Sequence, residues 1–374
     1  MNKLKVRNSN LELYRIIVML LIVAHHYVVN SGLTSIGGPI SSDPTSLKSL
    51  FLLLFGAWGK TGINCFVLIT GYFMCKSQIT LKKFMKLFLQ VMFYKIVIST
   101  IFWISSYEPL TLEGLVKTLI PIRTLGTGFT AAFLLFFLFI PFLNILVKNM
   151  NEKQHILLLG LVSFTYIFLG TVPFFSVTMN YVSWFMVLYI IASYIRLYPK
   201  QIFNNTKLWA FVSVVLIIIA SLSVIVCAYI SKEIDRSLWY YFVQDSNTLL
   251  AVLIGVSTFL FFKNLKMKHH PAINKISATC FGVLLIHANS DTMRRWLWKD
   301  VLGNVGMYSS SLLFLHSVLS VLVVFVICSI IDMARIKFVE TPFFNYFDKV
   351  YDKFYVWFDQ KKMHYSRKLN EKGN

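Results

Sequence analysis

The groups best able to do chemistry in this chain are ionisable side chains lodged inside long apolar runs. They are Glu12, Arg15, His25 and His26 in the first run, Lys60 in the second, Lys95 in the third, His287 and Asp291 in the ninth, and His316 in the tenth. In hydrocarbon such groups are costly unless paired or hydrated, so each is a functional candidate by default. An imidazole can take and return a proton near neutral pH, and a guanidinium can hold an anionic or carbonyl oxygen.

Eleven positions separate Arg15 from His26. At about 100° per residue, that returns the second side chain to within roughly 20° of the first, so the two share one stripe of a helix. They lie about 16 Å apart along it, at opposite ends of a polar track. Glu12 is one turn before Arg15, within pairing reach, and His25 points roughly 80° away from His26. A plainer alternative keeps Glu12 and Arg15 as interfacial anchors and the two histidines as a cap on the far helix end. His287 and Asp291 are four residues apart and are expected on one face of a continuous helix, where the carboxylate could orient the imidazole or the two could form a structural pair. His316, alone near a helix start, is read as structural.

The elements that must position these groups are membrane-spanning helices. Of the 374 residues, 57% are hydrophobic and only 14% charged, and the mean hydropathy of +0.67 excludes a water-soluble fold. Ten apolar runs are expected to span: Leu11–Val29, Leu50–Met74, Phe84–Ser105, Phe129–Leu146, Ile156–Phe174, Tyr181–Ile195, Leu208–Ile230, Leu249–Phe262, Ile276–Met293 and Ser311–Met333. Most approach the 20 or so residues that cross about 30 Å of hydrocarbon as a helix, whereas a β-barrel would show shorter alternating segments. The expected fold is therefore an all-α polytopic bundle of about ten spans.

The formal charge of +20 would suit nucleic acid if the basic residues were clustered on a soluble face. Instead they alternate with the spans. With the N-terminus inside, 25 of the 36 Lys and Arg fall in inner segments, among them Lys76, Lys82, Lys83 and Lys86 and the tail from Arg335 to Lys372. The outer loops hold Lys48, Lys117, Arg123, Lys232, Arg236, Arg294, Arg295 and Lys299. This asymmetry predicts a multi-pass plasma-membrane protein with both termini cytoplasmic, and it reads the charge as topology and lipid attraction rather than nucleic-acid binding.

Cys65, Cys75, Cys227, Cys280 and Cys328 lie in or beside apolar runs with no metal-ligand spacing, so no metal is expected. Residues 1–340 are expected to form the membrane domain and 341–374 a cytoplasmic tail, in which Phe343–Phe358 suits either an interfacial helix or a solvated segment. Part of the loop from Ser106 to Gly128 is expected to re-enter the membrane as a short amphipathic piece. No cleavable leader is expected.

The stretch Asn10-Leu11-Glu12-Leu13-Tyr14-Arg15, followed by ten residues and His26, resembles the opening helix of the acyltransferase-3 family. The run Gly62-Ile63-Asn64-Cys65-Phe66-Val67-Leu68-Ile69-Thr70-Gly71-Tyr72 is similar to that family's aromatic-aliphatic stretch ending Ser-Gly-Tyr. Softer likenesses are Tyr181-Val182-Ser183-Trp184-Phe185 and Leu284-Leu285-Ile286-His287. Glu12 stands where Asp is common and Thr70 where Ser is usual, substitutions that keep a carboxylate and a hydroxyl. Some relatives carry an additional extracytoplasmic hydrolase-like domain, and none is expected here.

The resemblance implies a membrane O-acyltransferase, with acetyl as the expected acyl group, moving it from cytoplasmic acyl-CoA to a hydroxyl of a cell-envelope or capsular glycan. It implies His26 as base or transient acyl carrier with His25 as understudy, and Arg15 as holder of the acetyl-CoA phosphate or pantetheine carbonyl, oriented by Glu12. Lys82 and Lys83 are candidates for the nucleotide phosphates. His287, Asp291, Lys60, Tyr72 and Trp184 are candidates for acceptor contact. The implied partners are acyl-CoA, a glycan or lipid-linked saccharide and membrane lipid, with association between copies left open. The competing reading is a transporter or flippase of a lipid-linked sugar, in which the same charges bind without covalent chemistry.

Overall fold

The computed structural model describes residues 8–120, 128–172, 175, 177 and 180–350. Expectations placed on Lys3, Lys5, Arg7, Arg123 and the tail beyond residue 350 lie outside the described residues. All regular structure among those described is helical, as hydrocarbon demands, because a helix satisfies its own backbone polar groups.

The chain opens with α1 (Ser9–Val29), a four-residue α2 (Pro39–Ser42), and then α3 (Leu47–Gly56) and α4 (Gly59–Met74), which form one span broken at Ala57–Trp58. Next come α5 (Leu81–Ile104), started by the Thr80 hydroxyl accepting from Lys83 N–H, and α6 (Leu112–Leu119), started in the same way by Thr111. After α7 (Phe129–Asn149), a capping box of Asn151 and Gln154 begins α8 (Glu152–Val162), which runs through a π-turn into α9 (Leu169–Thr171). Then follow α10 (Tyr181–Leu197), α11 (Thr206–Ile234), α12 (Leu249–Asn264), α13 (Pro271–Ser277), α14 (Cys280–His287), α15 (Asp291–Arg295), α16 (Asn304–Met307) and α17 (Leu313–Arg335).

Among the described residues each of the ten expected spans lies mostly on helix, with positions 173 and 174 of the fifth outside them, but the number of full crossings differs. Among the described residues seven stretches are long and apolar enough: Ser9–Val29, Leu47–Met74, Leu81–Ile104, Phe129–Asn149, Glu152–Thr171, Thr206–Ile234 and Leu313–Val350. Tyr181–Leu197 and Leu249–Asn264 are shorter, about 26 and 24 Å of helix against about 30 Å of hydrocarbon. The run expected to be one continuous span over Ile276–Met293 is instead bent by 94° between Pro271–His287 and Asp291–Met307, and counting that pair gives eight.

Burial decides which helices are central. In Leu47–Met74 72% of the apolar window is buried, against 11% in Glu152–Thr171, so the former is core and the latter peripheral. α1 packs against α3, α4, α12, α13 and α14. Glycines permit its close approach to α4: a Cβ on Gly59 would lie 2.2 Å from His25 Cγ, and one on Gly62 would lie 2.8 Å from Ile22 Cγ1. By contact the chain forms two compact units, one ending at Cys328 and the other beginning at Ser329. Within the second, Arg335 bridges Asp332 at 2.7 Å and Glu340 at 2.8 Å as the helix passes through a π-turn at Ile336–Glu340.

Candidate active site

α1 carries polar contacts along its whole length, and they collect at two ends. At the first, Asn10 donates to the carbonyls of Phe262 (2.9 Å) and Lys263 (3.0 Å), closing the C-terminus of α12. Glu12 is buried, and its carboxylate accepts from Arg15 Nη1 at 3.1 and 3.3 Å and from the Ser277 hydroxyl on α13. A carboxylate taken out of water needs such partners for its lone pairs. Arg15 thus spends one nitrogen on Glu12, and its side chain retains 24% exposure, which leaves the other donors of its fork for an anion or carbonyl. The next turn is pinned by Tyr14, whose hydroxyl lies 2.6 Å from Thr258 Oγ1 and whose ring stacks on Phe262.

At the other end, His26 Nδ1 lies 2.9 Å from His287 Nε2, and His287 Nδ1 lies 2.6 Å from the Val283 carbonyl. Those contacts fix the tautomers. A carbonyl only accepts, so His287 carries its proton on Nδ1, and the lone pair on its Nε2 accepts from His26 Nδ1–H. His26 is left with a lone pair on Nε2, which is the form a general base requires. His25 is built separately: its Nδ1–H donates to the Gly56 carbonyl at 2.6 Å, beside the break between α3 and α4, and its ring rests on Gly59.

That contact carries a prediction. Gly59→Ala places a methyl inside the His25 ring and is expected to cost about 1–3 kcal/mol by overpacking. The check is a lowered midpoint of thermal unfolding in detergent, and an unchanged midpoint would contradict it.

Several expected site residues are placed differently. His287 is fully buried with both nitrogens engaged, so it offers none to an acceptor. Asp291 does not share its helix face, because the helix ends at His287 and restarts at Asp291 with Ser290 as N-cap, and Asp291 pairs with Arg294 at 2.8 Å with its side chain 97% exposed. The partner that orients His287 is a backbone carbonyl. Trp184 is fully buried and donates its indole N–H to Asn64 Oδ1 at 2.9 Å, and Tyr72 receives Arg196 Nη1 on its hydroxyl at 2.7 Å. Lys83 is tied to the turn before α5 through Ser77 Oγ (2.7 Å) and the Gln78 carbonyl (2.6 Å), while Lys82 is exposed at the same helix start. Lys60 lies at the His26 end of α4, 2.8 Å from the Tyr181 hydroxyl. His316 lies 2.8 Å from the Tyr27 hydroxyl through Nδ1.

Arg294 escaped the sequence reading, which placed it among the outer-loop charges. Its charge bears on both His26 and His287. The signal that could have found it is Asn289-Ser290-Asp291, a helix-start pattern inside an apolar run.

A cavity of about 610 Å³ is lined by Pro39, Leu47, Tyr308 and Phe314 among others, and neither Arg15 nor His26 is among its lining residues. On its rim the Asp43 carboxyl is held below its ordinary value by hydrogen bonds from the Thr45 hydroxyl and from Lys232.

The acyltransferase-3 family model, described as an acyltransferase domain, matches residues 8–333. No curated protein and no solved structure matches the chain.

Proposed function

The chain belongs to the acyltransferase-3 family of membrane acyltransferases, and from that premise we propose that it moves an acetyl group from cytoplasmic acetyl-CoA to a hydroxyl of a cell-envelope glycan. The observation that carries this reading is the chain Val283 C=O···H–Nδ1 His287 Nε2···H–Nδ1 His26, which presents one basic imidazole nitrogen on the helix that also bears Arg15.

In this reading Nε2 of His26 takes the proton of the acceptor hydroxyl as its oxygen bonds to the thioester carbonyl carbon, and the C–S bond breaks. The imidazolium formed is stabilised through Nδ1–H on His287, and its new proton passes to the departing thiolate. Arg15, oriented by Glu12, holds the phosphate or pantetheine end of the donor with its remaining guanidinium nitrogens. Its distance of about 16 Å along α1 from His26 sets the length the donor arm must cover. The Arg15 end and both termini are then cytoplasmic, and the His26 end faces outward.

Two measurements test this. Mass spectrometry of envelope polysaccharides from cells with and without the chain is expected to show acetyl groups only where it is present, and identical acetylation in both sets refutes the reading. Arg15→Ala is expected to weaken acetyl-CoA binding in detergent by about tenfold or more, the value of one charge-assisted hydrogen bond. Unchanged affinity removes Arg15 from the donor site.

A further inference from the structure

The surroundings of His26 carry a charge that proton transfer between a neutral sugar and an imidazole does not call for. Two cations bear on the imidazole, Lys60 from α4 and Arg294 from α15, and Arg294 also bears on Lys95 of α5. The other titratable groups bearing on it, His25 and His287, supply no carboxylate. The acids that do pair with these cations sit outermost. Asp245 reaches Lys60 only at 3.9 Å with its side chain 52% exposed, and Asp291 reaches Arg294 with its side chain 97% exposed. The cations themselves are 27% and 38% exposed. The carboxylates are thus more exposed than the cations they pair with, and exposed charges are screened more strongly, so the positive charge near the imidazole is the less screened of the two.

Hydrogen-bonding capacity points the same way. Arg294 spends Nη1 on Asp291, but its Nε is buried with no acceptor among the described residues. Trp298, wholly buried with its ring set edge-on to His287 at 6.4 Å, has an indole N–H in the same condition. Buried donors without acceptors are costly and call for ligand oxygens. Two cations bearing on the base and two buried N–H donors without acceptors, one on Arg294 and one on the Trp298 ring beside His287, match an oxyanion of the phosphate class, which a guanidinium and an ammonium bind well.

We propose that the hydroxyl acylated beside His26 belongs to a saccharide bearing a phosphate group, held by Lys60 and Arg294. The inference rests on the acyltransferase reading of the same site. The phosphate has two sources, a lipid-linked saccharide diphosphate or a phosphate within the glycan, and both present the same oxyanion.

The test uses the full chain in nanodiscs and three probes: N-acetylglucosamine, its 1-phosphate, and the same sugar on a short polyprenyl diphosphate. Binding of each is measured for the wild type, Lys60→Gln, Arg294→Gln, and the charge-keeping Lys60→Arg and Arg294→Lys. The wild type is expected to prefer the 1-phosphate to the neutral sugar by about tenfold or more, with the preference narrowing as salt rises. The Gln variants are expected to cut that preference to about threefold or less, and the charge-keeping variants to retain most of it.

A tighter polyprenyl diphosphate than 1-phosphate assigns the lipid-linked source, and equal affinity assigns phosphate within the glycan. Equal wild-type affinity for neutral and phosphorylated sugar, no binding of any probe, or a preference untouched in both Gln variants overturns the proposal. Labelled acetyl transfer separates the two readings. Transfer to the neutral sugar as fast as to the phosphorylated ones sinks the phosphate inference alone, and phosphate-selective binding with no transfer in any arm removes the acyltransferase reading on which it rests.

Discussion

Replacing His26 by Ala is expected to lower acetyl transfer by about 10²–10⁴-fold, the usual worth of a positioned general base, while the protein still inserts and accumulates. The expectation of normal accumulation follows from what His26 holds in the fold. Its ring is only partly buried and makes one side-chain hydrogen bond, to His287, so the structural loss is that of a single polar contact between helices, about 0.6–2 kcal/mol. The chemical loss is far greater, because the lone pair freed by the His287 contact disappears with the ring. Incorporation of labelled acetyl from acetyl-CoA into envelope glycan, by membranes matched for protein amount, measures it. Retained transfer would move the base to His25, whose Nδ1–H is likewise spent on a carbonyl and whose Nε2 is likewise basic.

Removing the acceptor behind that base is expected to be the next most damaging change. His287→Ala deprives His26 Nδ1–H of its partner, frees the imidazole to adopt the wrong tautomer and withdraws the group that stabilises the imidazolium. A fall of about 10²-fold or more is expected, since losing the orienting partner of a catalytic histidine can cost as much as 10⁴. His287 is a positioning residue, so the informative measurement is rescue. A Gln side chain can offer its carbonyl oxygen to Nδ1–H, and His287→Gln is expected to hold activity within about tenfold of wild type. If Ala and Gln are equally damaging and both lower the thermal midpoint, His287 serves packing alone.

The two histidines come from distant parts of the chain, 261 residues apart, and their meeting could not be read from spacing. The spacing of Arg15 and His26 could. It depends only on 3.6 residues per turn, so once the run was apolar enough to be a helix, the shared stripe followed, as did the pairing of Glu12 with Arg15 one turn away. The pairing of His287 with Asp291 failed for the converse reason. It assumed a continuous helix, and Ser290 capping Met293 N–H ends that continuity, leaving Asp291 exposed and paired with Arg294, whose charge bears on the histidines. Trp184 and Tyr72 looked available because aromatic type says nothing about what a ring will face. In the fold they are spent on Asn64 and Arg196.

The number of full crossings shows the same division. Hydropathy located the long apolar helices, because the cost of bringing polar backbone into hydrocarbon is a local property of each run. It could not tell a full crossing from a shorter or broken one, since helix ends are set by caps and by the neighbours against which each helix packs. By itself, then, the sequence determined an all-helical membrane protein and a polar track along the first helix, consequences of composition and of periodicity within single segments, and its motifs carried the likeness to the acyltransferase-3 family that the family model shows. Only the tertiary structure decided which nitrogen of His26 is basic, what stands behind it and which cations surround it, because hydrogen bonds and fields between segments far apart in the chain exist only once packing has brought those segments together.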